Sequence, residues 1–305
     1  MDSLNRRDFL KGSLMAGAGA LGMSIVADLA PKSLIRGTGF AEAAGPEPEY
    51  AIYACKYGGP VVRKMAISLW NSGWDEDIPI DYYVWAVKAQ KGETIVVDTG
   101  SSPAQGAARK VSGFVNPVEV LARLGVTGDS VGKVVITHMH WDHVGNIENY
   151  LKAFPVAKFY VQKREFDFCV KNPLSQRKPV SILFDALANK VVGGMEGSDR
   201  LVIVDGDYNL APGVDLLLAP GHTLGLQVVR VNTAKGSAVV GSDCAHLFRG
   251  YQEDTGSCFI MDMPAWIQSF DKVKSKAAID LIFPGHDHLM NEKFPKVVED
   301  ITQLV

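Results

Sequence analysis

Six consecutive residues, His138-Met139-His140-Trp141-Asp142-His143, bring three imidazoles and a carboxylate into one short turn, directly after the apolar run Val134-Val135-Ile136-Thr137. Neutral imidazole nitrogen and carboxylate oxygen are ligands that zinc, iron and manganese all accept. The same pattern, a short apolar run ending in a metal-ligand residue type, recurs along the chain. Leu216 to Pro220 leads into Gly221-His222, Val239-Val240 into Gly241-Ser242-Asp243, and Leu281 to Pro284 into Gly285-His286. All seven histidines (His138, His140, His143, His222, His246, His286, His288) sit at or just beyond these ends. Histidines used as ordinary polar surface would be scattered.

The ligand set is rich enough for two divalent ions. In a turn after a strand, His138 and His140 can face one ion while Asp142 and His143, on the next bend, face another. His222 then completes the first group and His286 the second, and Asp243 has two oxygens with which to bridge them. Two metals roughly 3.5–4 Å apart lower the pKa of a shared water and stabilise developing oxygen charge, which is the chemistry of ester and amide hydrolysis. A purely structural zinc site is closed, four-liganded and usually cysteine-rich. The four cysteines, Cys55, Cys169, Cys244 and Cys258, show no C-x-x-C spacing, so neither a zinc ribbon nor a dithiol redox motif is expected. Cys244, beside Asp243, reads as a small packing residue.

The elements that must position these residues are short aliphatic runs bounded by Gly or Pro, as buried strands are. Ala51–Tyr57, Val61–Leu69, Tyr82–Ala89 and Thr94–Asp98 read as an opening antiparallel set. Asn116-Pro117-Val118-Glu119 opens a helix with a capping Asn and Pro at its first position, and Gly125 closes it. Helices over Val144–Ala153 and Arg164–Lys171 flank a strand at Lys158–Val161. Asn172 to Gly197 is irregular, with a short helix at Leu183–Asn189, and is a candidate pocket wall. Strands at Leu201–Val204, Val214–Leu218, Leu226–Val231 and Ala238–Gly241 follow, then a helix over Pro264–Ser275, a strand at Asp280–Phe283 and a closing helix over Glu292–Thr302. Two comparable halves, near 50–160 and 200–305, imply two sheets face to face with helices outside. The Trp70–Ile80 loop, with Trp70 and Trp74, reads either as a lid over an apolar substrate or as tryptophans tucked onto the body.

Asn5-Arg6-Arg7-Asp8-Phe9-Leu10-Lys11 precedes a Gly/Ala-rich apolar stretch, and Ala41-Glu42-Ala43 has the form of a cleavage site. The segment resembles a twin-arginine export signal. It is short and glycine-rich for a membrane anchor, so no stable span is expected after its removal and the periplasm is the expected compartment. The expected organisation is a signal over 1–43, a linker over 44–49 and one α/β domain over 50–305. The chain carries a formal net charge of −3, and no basic stripe invites nucleic acid. The expected partner is a small molecule.

H-x-H-x-D-H, then Pro220-Gly221-His222, Gly241-Ser242-Asp243 and Pro284-Gly285-His286, in that order, resemble the metallo-β-lactamase superfamily. Val96-Val97-Asp98-Thr99-Gly100 resembles its upstream strand, whose Asp supports the metal-binding loop. The resemblance covers nearly all of the chain beyond the signal and implies the four-layer αββα fold. By position it assigns His138, His140 and His222 to one metal, Asp142, His143 and His286 to the other, and Asp243 to both, most simply two zinc ions, with iron or manganese as alternatives. Val204 to Val214 and Pro220 to Gln227 resemble the N-acyl homoserine lactonase branch, which implies opening of a lactone ring, with Asp142 and Asp243 as catalytic carboxylates. That branch usually places a tyrosine three residues beyond the bridging Asp, where this chain has His246. An imidazole there can donate to an oxyanion or protonate a leaving alkoxide. His288 reads as surface or as support behind the site. Alternatives on the same scaffold are a β-lactam, ester, phosphate or sulfate hydrolase, or a non-catalytic metal-binding scaffold. The absence of an Arg/Lys cluster beside the motifs argues against a phosphodiesterase.

Overall fold

A computed structural model describes residues 34–36, 47–89 and 91–305. The export signal and the first linker residues therefore lie outside the described residues, apart from the short strand β1 (Leu34–Arg36).

Nine strands form one sheet, in the order β1, β7 (Leu201–Asp205), β6 (Lys158–Gln162), β5 (Val131–Val135), β4 (Thr94–Val97), β3 (Asp77–Ala89), β2 (Tyr50–Lys64), β14 (Ile301–Gln303) and β13 (Lys296–Val298). Five form a second, in the order β12 (Ile282–Pro284), β11 (Gly236–Ser242), β10 (Gln227–Thr233), β9 (Val214–Leu218) and β8 (Tyr208–Ala211). Strands β4 to β7 run parallel. Pairing of β9 and β11 antiparallel to β10, and of β12 parallel to β11, points all three toward one end of the second sheet.

Side chains alternate across each strand, and here both faces are apolar because both are covered. Val97, Val135, Leu216, Val229, Val231 and Val240 share the core between the sheets. Their neighbours Val96, Val134 and Ile136 face outward with Val120, Leu121, Tyr150 and Phe154. Leu217, Val228 and Val239 pack under Trp266, Phe270 and Val273 of the helix Met263–Lys274. Three apolar layers separate helix, sheet, sheet and helix, which is the αββα arrangement.

Several elements differ from the expectation. The closing helix over Glu292–Thr302 is instead a helical turn, Leu289–Glu292, followed by the β13/β14 hairpin. Pro295 and the β-branched pair Val297-Val298 disfavour a helix there. Asp300, in the left-handed region at φ 62°, makes the turn, and Ile301 is buried against Cys55 of β2. The two halves are not two sheets: β7, β13 and β14 come from the second half yet pair into the first sheet. Ala51–Tyr57 and the start of the next run are one long strand, β2, whose register shifts around Gly58. The chain then coils into the helical turn Met65–Ser68. The helix expected at Leu183–Asn189 lies at Ala186–Gly194, capped by Asp185. Strand β1, within the segment expected to be the signal, pairs parallel with β7.

Candidate metal centre

The centre forms where β4, β5, β9, β11 and β12 end. Beyond β5 the chain turns through His138 and His140 into the short helix Trp141–Val144, which carries Asp142 and His143. Backbone bonding of Trp141 to the Leu183 carbonyl, at 2.9 Å, ties this turn to the irregular segment. Ser242, at the end of β11, adopts φ 43°, and Asp98, after β4, φ 64°. Left-handed backbone is uncommon for such residues and clusters where side chains must be aimed. A Cβ at Gly285 would collide with the Asp243 carboxylate, so the residue before His286 has to be glycine for that carboxylate to occupy its place.

All seven expected ligand residues come together, and all are buried. Ligand atoms of His138, His140, His222 and Asp243 lie within 4.8 Å of one another, as do those of Asp142, His143 and His286. Asp243 Oδ2 is 3.4 Å from His222 Nε2 and 3.9 Å from His138 Nε2. Its other oxygen, Oδ1, is 3.4 Å from His143 Nε2 and 3.3 Å from His286 Nε2. The carboxylate thus offers one oxygen to each group. His246 Nε2 is 3.2 Å from Asp243 Oδ2, which adds an imidazole to the same cluster.

Charge on these groups follows from their surroundings. Burial holds His138 and His140 well below the ordinary imidazole pKa, and pushes His222 down to about 3 against the pull of Asp243. Burial also opposes charge on His143, but Asp243, Asp98 and Asp142 outweigh it and raise that imidazole well above its ordinary value. His286 is raised in the same way, burial being overcome by Asp243 and Asp142. Asp243 is held well below the carboxylate range: burial resists, and His286, His143 and His246 prevail.

A divalent ion fits these residues. His138 Nε2, His143 Nε2 and Asp243 Oδ1 are buried without a hydrogen-bond partner, a costly condition for polar atoms that face nothing. Three neutral imidazoles are ready donors, and elsewhere positive charge is already demanded by the carboxylates. Ligands bound at about 2.0–2.2 Å fall within such mutual separations.

The surrounding contacts fix which nitrogen each ring presents. His143 Nδ1 bonds Asp98 Oδ2 at 2.7 Å, and Asp98 also accepts from Thr137 N and Oγ1, each at 2.8 Å. His286 Nδ1 meets the Asp81 carbonyl at 2.9 Å. His288, expected at the surface or behind the site, bonds Asp81 Oδ2 through Nδ1 at 2.7 Å. Glu165, to which the sequence attached no role, accepts from Met139 N at 2.8 Å and Gly225 N at 3.0 Å. It thereby joins the two loops that carry His138, His140 and His222. Asp81 and Glu165 have no local signature, since each acts on a loop remote in sequence.

Above the centre lies a cavity of about 340 Å³, lined by His140, Asp142, His222, Asp243, His246 and His286 at its polar end. Ile67, Ile80, Trp141, Leu183 and Phe259 supply apolar wall. Leu183 makes the irregular segment a wall of this cavity. Trp70 and Trp74 do not line it: both are largely exposed, and Trp70 lines a separate cavity of about 250 Å³. The helical turn before that loop contributes instead, through Ile67 and Ser68. Arg63 and Arg109 also line the metal cavity, so cationic groups are present that no motif-adjacent reading of the sequence could reveal. All four cysteines are free thiols, and Cys244 is buried beside the helix Met263–Lys274.

Fold and site together define a class. The profile of the Metallo-beta-lactamase superfamily matches residues 79–286, and the chain belongs to that superfamily. Residues 3–22 match the twin-arginine translocation signal, which directs the chain to export by that route, to the periplasm or beyond. N-acyl homoserine lactonase AiiA of Bacillus thuringiensis subsp. kurstaki is 25% identical over 173 residues, 56% of this chain and 61% of that protein. The match thus spans less than two thirds of that relative's length. Metallo-beta-lactamase domain-containing protein 1 of Mus musculus is 30% identical over 194 residues, 63% of this chain and 58% of that protein. The crystal structure of a quorum-quenching N-acyl homoserine lactone lactonase superposes with a TM-score of 0.66 at 19% identity, covering 83% of this chain and 98% of that one. AidC, a dizinc quorum-quenching lactonase, gives 0.61 at 20% identity over 79% of this chain and 88% of its own. These two likenesses show the fold. No helix among the described residues is long and apolar enough to cross a membrane.

Proposed function

We propose that the protein is a dinuclear metal-dependent hydrolase that opens a lactone ring, working in the periplasm. The observation that carries this reading is Asp243, whose two oxygens are shared between two groups of buried imidazoles at the floor of one cavity. His138, His140 and His222 would hold one ion, Asp142, His143 and His286 the other, and Asp243 both. The nitrogen and oxygen donor set favours zinc, with iron and manganese chemically admissible, and lactonases are among the sequence relatives.

Bound there, two divalent ions supply a water activated at neutral pH and positive charge against a developing oxyanion. The residues of the chain do the rest. Asp142 takes up the proton lost by the attacking water and returns it to the alkoxide as the ring opens, while Asp243, with one oxygen turned to each group, keeps the two groups in register. His246 Nε2, buried without a hydrogen-bond partner, donates to the oxyanion in the place where lactonases usually present a tyrosine. Ile67, Leu183 and Phe259 give the cavity an apolar wall, against which the body of a lactone can pack.

The test is a panel of N-acyl homoserine lactones and simple γ-lactones with metal-loaded protein. Ring opening is expected, and His246→Ala should lower kcat by about a hundredfold without changing metal content. Hydrolysis of a chromogenic cephalosporin in preference to every lactone would overturn the lactone assignment.

A further inference from the structure

Arg63 sits near the end of β2, and Arg109 follows the helix Pro103–Ala108. Neither adjoins a ligand motif, yet both reach the wall of the cavity that holds Asp142 and Asp243. Arg109 is held rigidly. Its guanidinium stands 4.5 Å over the Trp141 ring, Nη2 donates to the Ile182 carbonyl at 2.7 Å, and Nε reaches Gln105 Oε1 at 3.4 Å. Arg63 Nη1 donates to the Val62 carbonyl at 3.2 Å. Tyr82 stands by both guanidinium groups: burial pushes its phenol up to about 12, Asp142 adds to the rise, and Arg63 and Arg109 oppose it.

Among the described residues neither arginine has a carboxylate within 4.0 Å, whereas Arg123, Arg230 and Arg249 pair with Asp300, Asp215 and Glu253. Both are half-buried. Both guanidinium groups stand at the cavity wall without a carboxylate partner among the described residues, and a planar fork of N–H donors is shaped to receive an anion.

We propose that Arg63 and Arg109 form a carboxylate-binding subsite, so that the preferred substrate is a compact lactone bearing a carboxylate away from the scissile bond. This rests on the lactone-hydrolase reading and narrows its substrate. The three bonds named engage only part of the two forks, and each guanidinium keeps N–H donors enough to receive a carboxylate in a bidentate contact. The cavity, about 340 Å³, lies near the small end of ligand pockets, which favours a short acid over a long neutral acyl chain.

The experiment compares a γ-lactone carrying a side-chain carboxylate with its methyl ester. Wild-type protein should prefer the acid by about tenfold in kcat/KM, carried by KM, equivalent to about 1.4 kcal/mol. In the Arg63→Gln/Arg109→Gln double variant that ratio should collapse, the paired lysine substitutions should restore part of it, and Arg109→Glu should favour an ammonium-bearing lactone. Equal turnover of acid and ester by wild type overturns the proposal. So does a double variant that loses both activities in proportion while melting at the wild-type temperature.

Failure of the lactone reading is separable. If metal-loaded wild type opens neither compound, calorimetric titration with glutarate and with inorganic phosphate still reads the subsite. Glutarate binding that is lost in the double variant supports it. Tighter binding of phosphate, or glutarate binding unchanged by the substitutions, removes it.

Discussion

Asp98 accepts from Thr137 and from His143 Nδ1 at once, and through that one bond it decides which nitrogen His143 presents to the centre. Replacing it with Asn leaves the volume but offers an amide where a full carboxylate stood. The Asp98→Asn protein is expected to fold and to bind metal about 10–100-fold more weakly, as read by competition with a chromogenic chelator. Unchanged affinity would show that the His143 ring is oriented by packing alone. The residues that come together at the centre were legible in the sequence as a cluster, because four of them are neighbours in one turn and the others follow short apolar runs. Arg63, Asp81, Tyr82 and Glu165 were not. Each contributes through contacts with residues far away in sequence, and its local surroundings resemble those of any strand or helix.

At the level of elements, the centre depends on loops being fastened to one another. Glu165, on the helix Lys163–Phe166, spans from the β5 loop to the β9 loop through the Met139 and Gly225 amides. Burial pushes its carboxyl above the ordinary value, and these donors pull the other way. Glu165→Leu would strand two buried N–H groups at a cost of about 1–3 kcal/mol each. Urea denaturation should show that loss, and metal affinity should fall with it, because His140 and His222 would no longer be held together. A variant as stable as wild type would show that other contacts hold these loops. Gly221 is a second fastening: its φ is 142° and a Cβ there would strike Trp266. Short buried strands were readable from their apolar runs. The C-terminal hairpin was not, since Glu292–Thr302 has helix-compatible residues at its start, and it is the edge of β2 that recruits Ile301 and Thr302 into a strand.

For the molecule as a whole, the centre concentrates buried imidazoles and carboxylates where the strands of both sheets end. Any ion that binds the native state but not the unfolded chain stabilises by mass action, about 2.7 kcal/mol at a hundredfold excess over Kd. Chelation is therefore expected to lower the melting temperature, and zinc to restore it in a concentration-dependent way. In a His140→Ala/Asp142→Ala protein that response should largely disappear. A melting temperature indifferent to chelator in the wild type would argue against metal as part of the folded state.

By itself the sequence determined the ligand types, their order and their association with strand ends. These are local properties: residue chemistry, apolar periodicity and the Gly and Pro that stop a strand. The same local reading placed the export signal and pointed to the four-layer fold. Only the tertiary structure decided that Asp243 turns one oxygen to each group of imidazoles, that Glu165 and Asp81 brace the loops, and that Arg63 and Arg109 share a wall with Trp141 and Leu183. Those facts depend on the pairing of nine strands with five and on side chains meeting across long separations. Such encounters arise from packing the whole core, and no stretch of the chain encodes them alone.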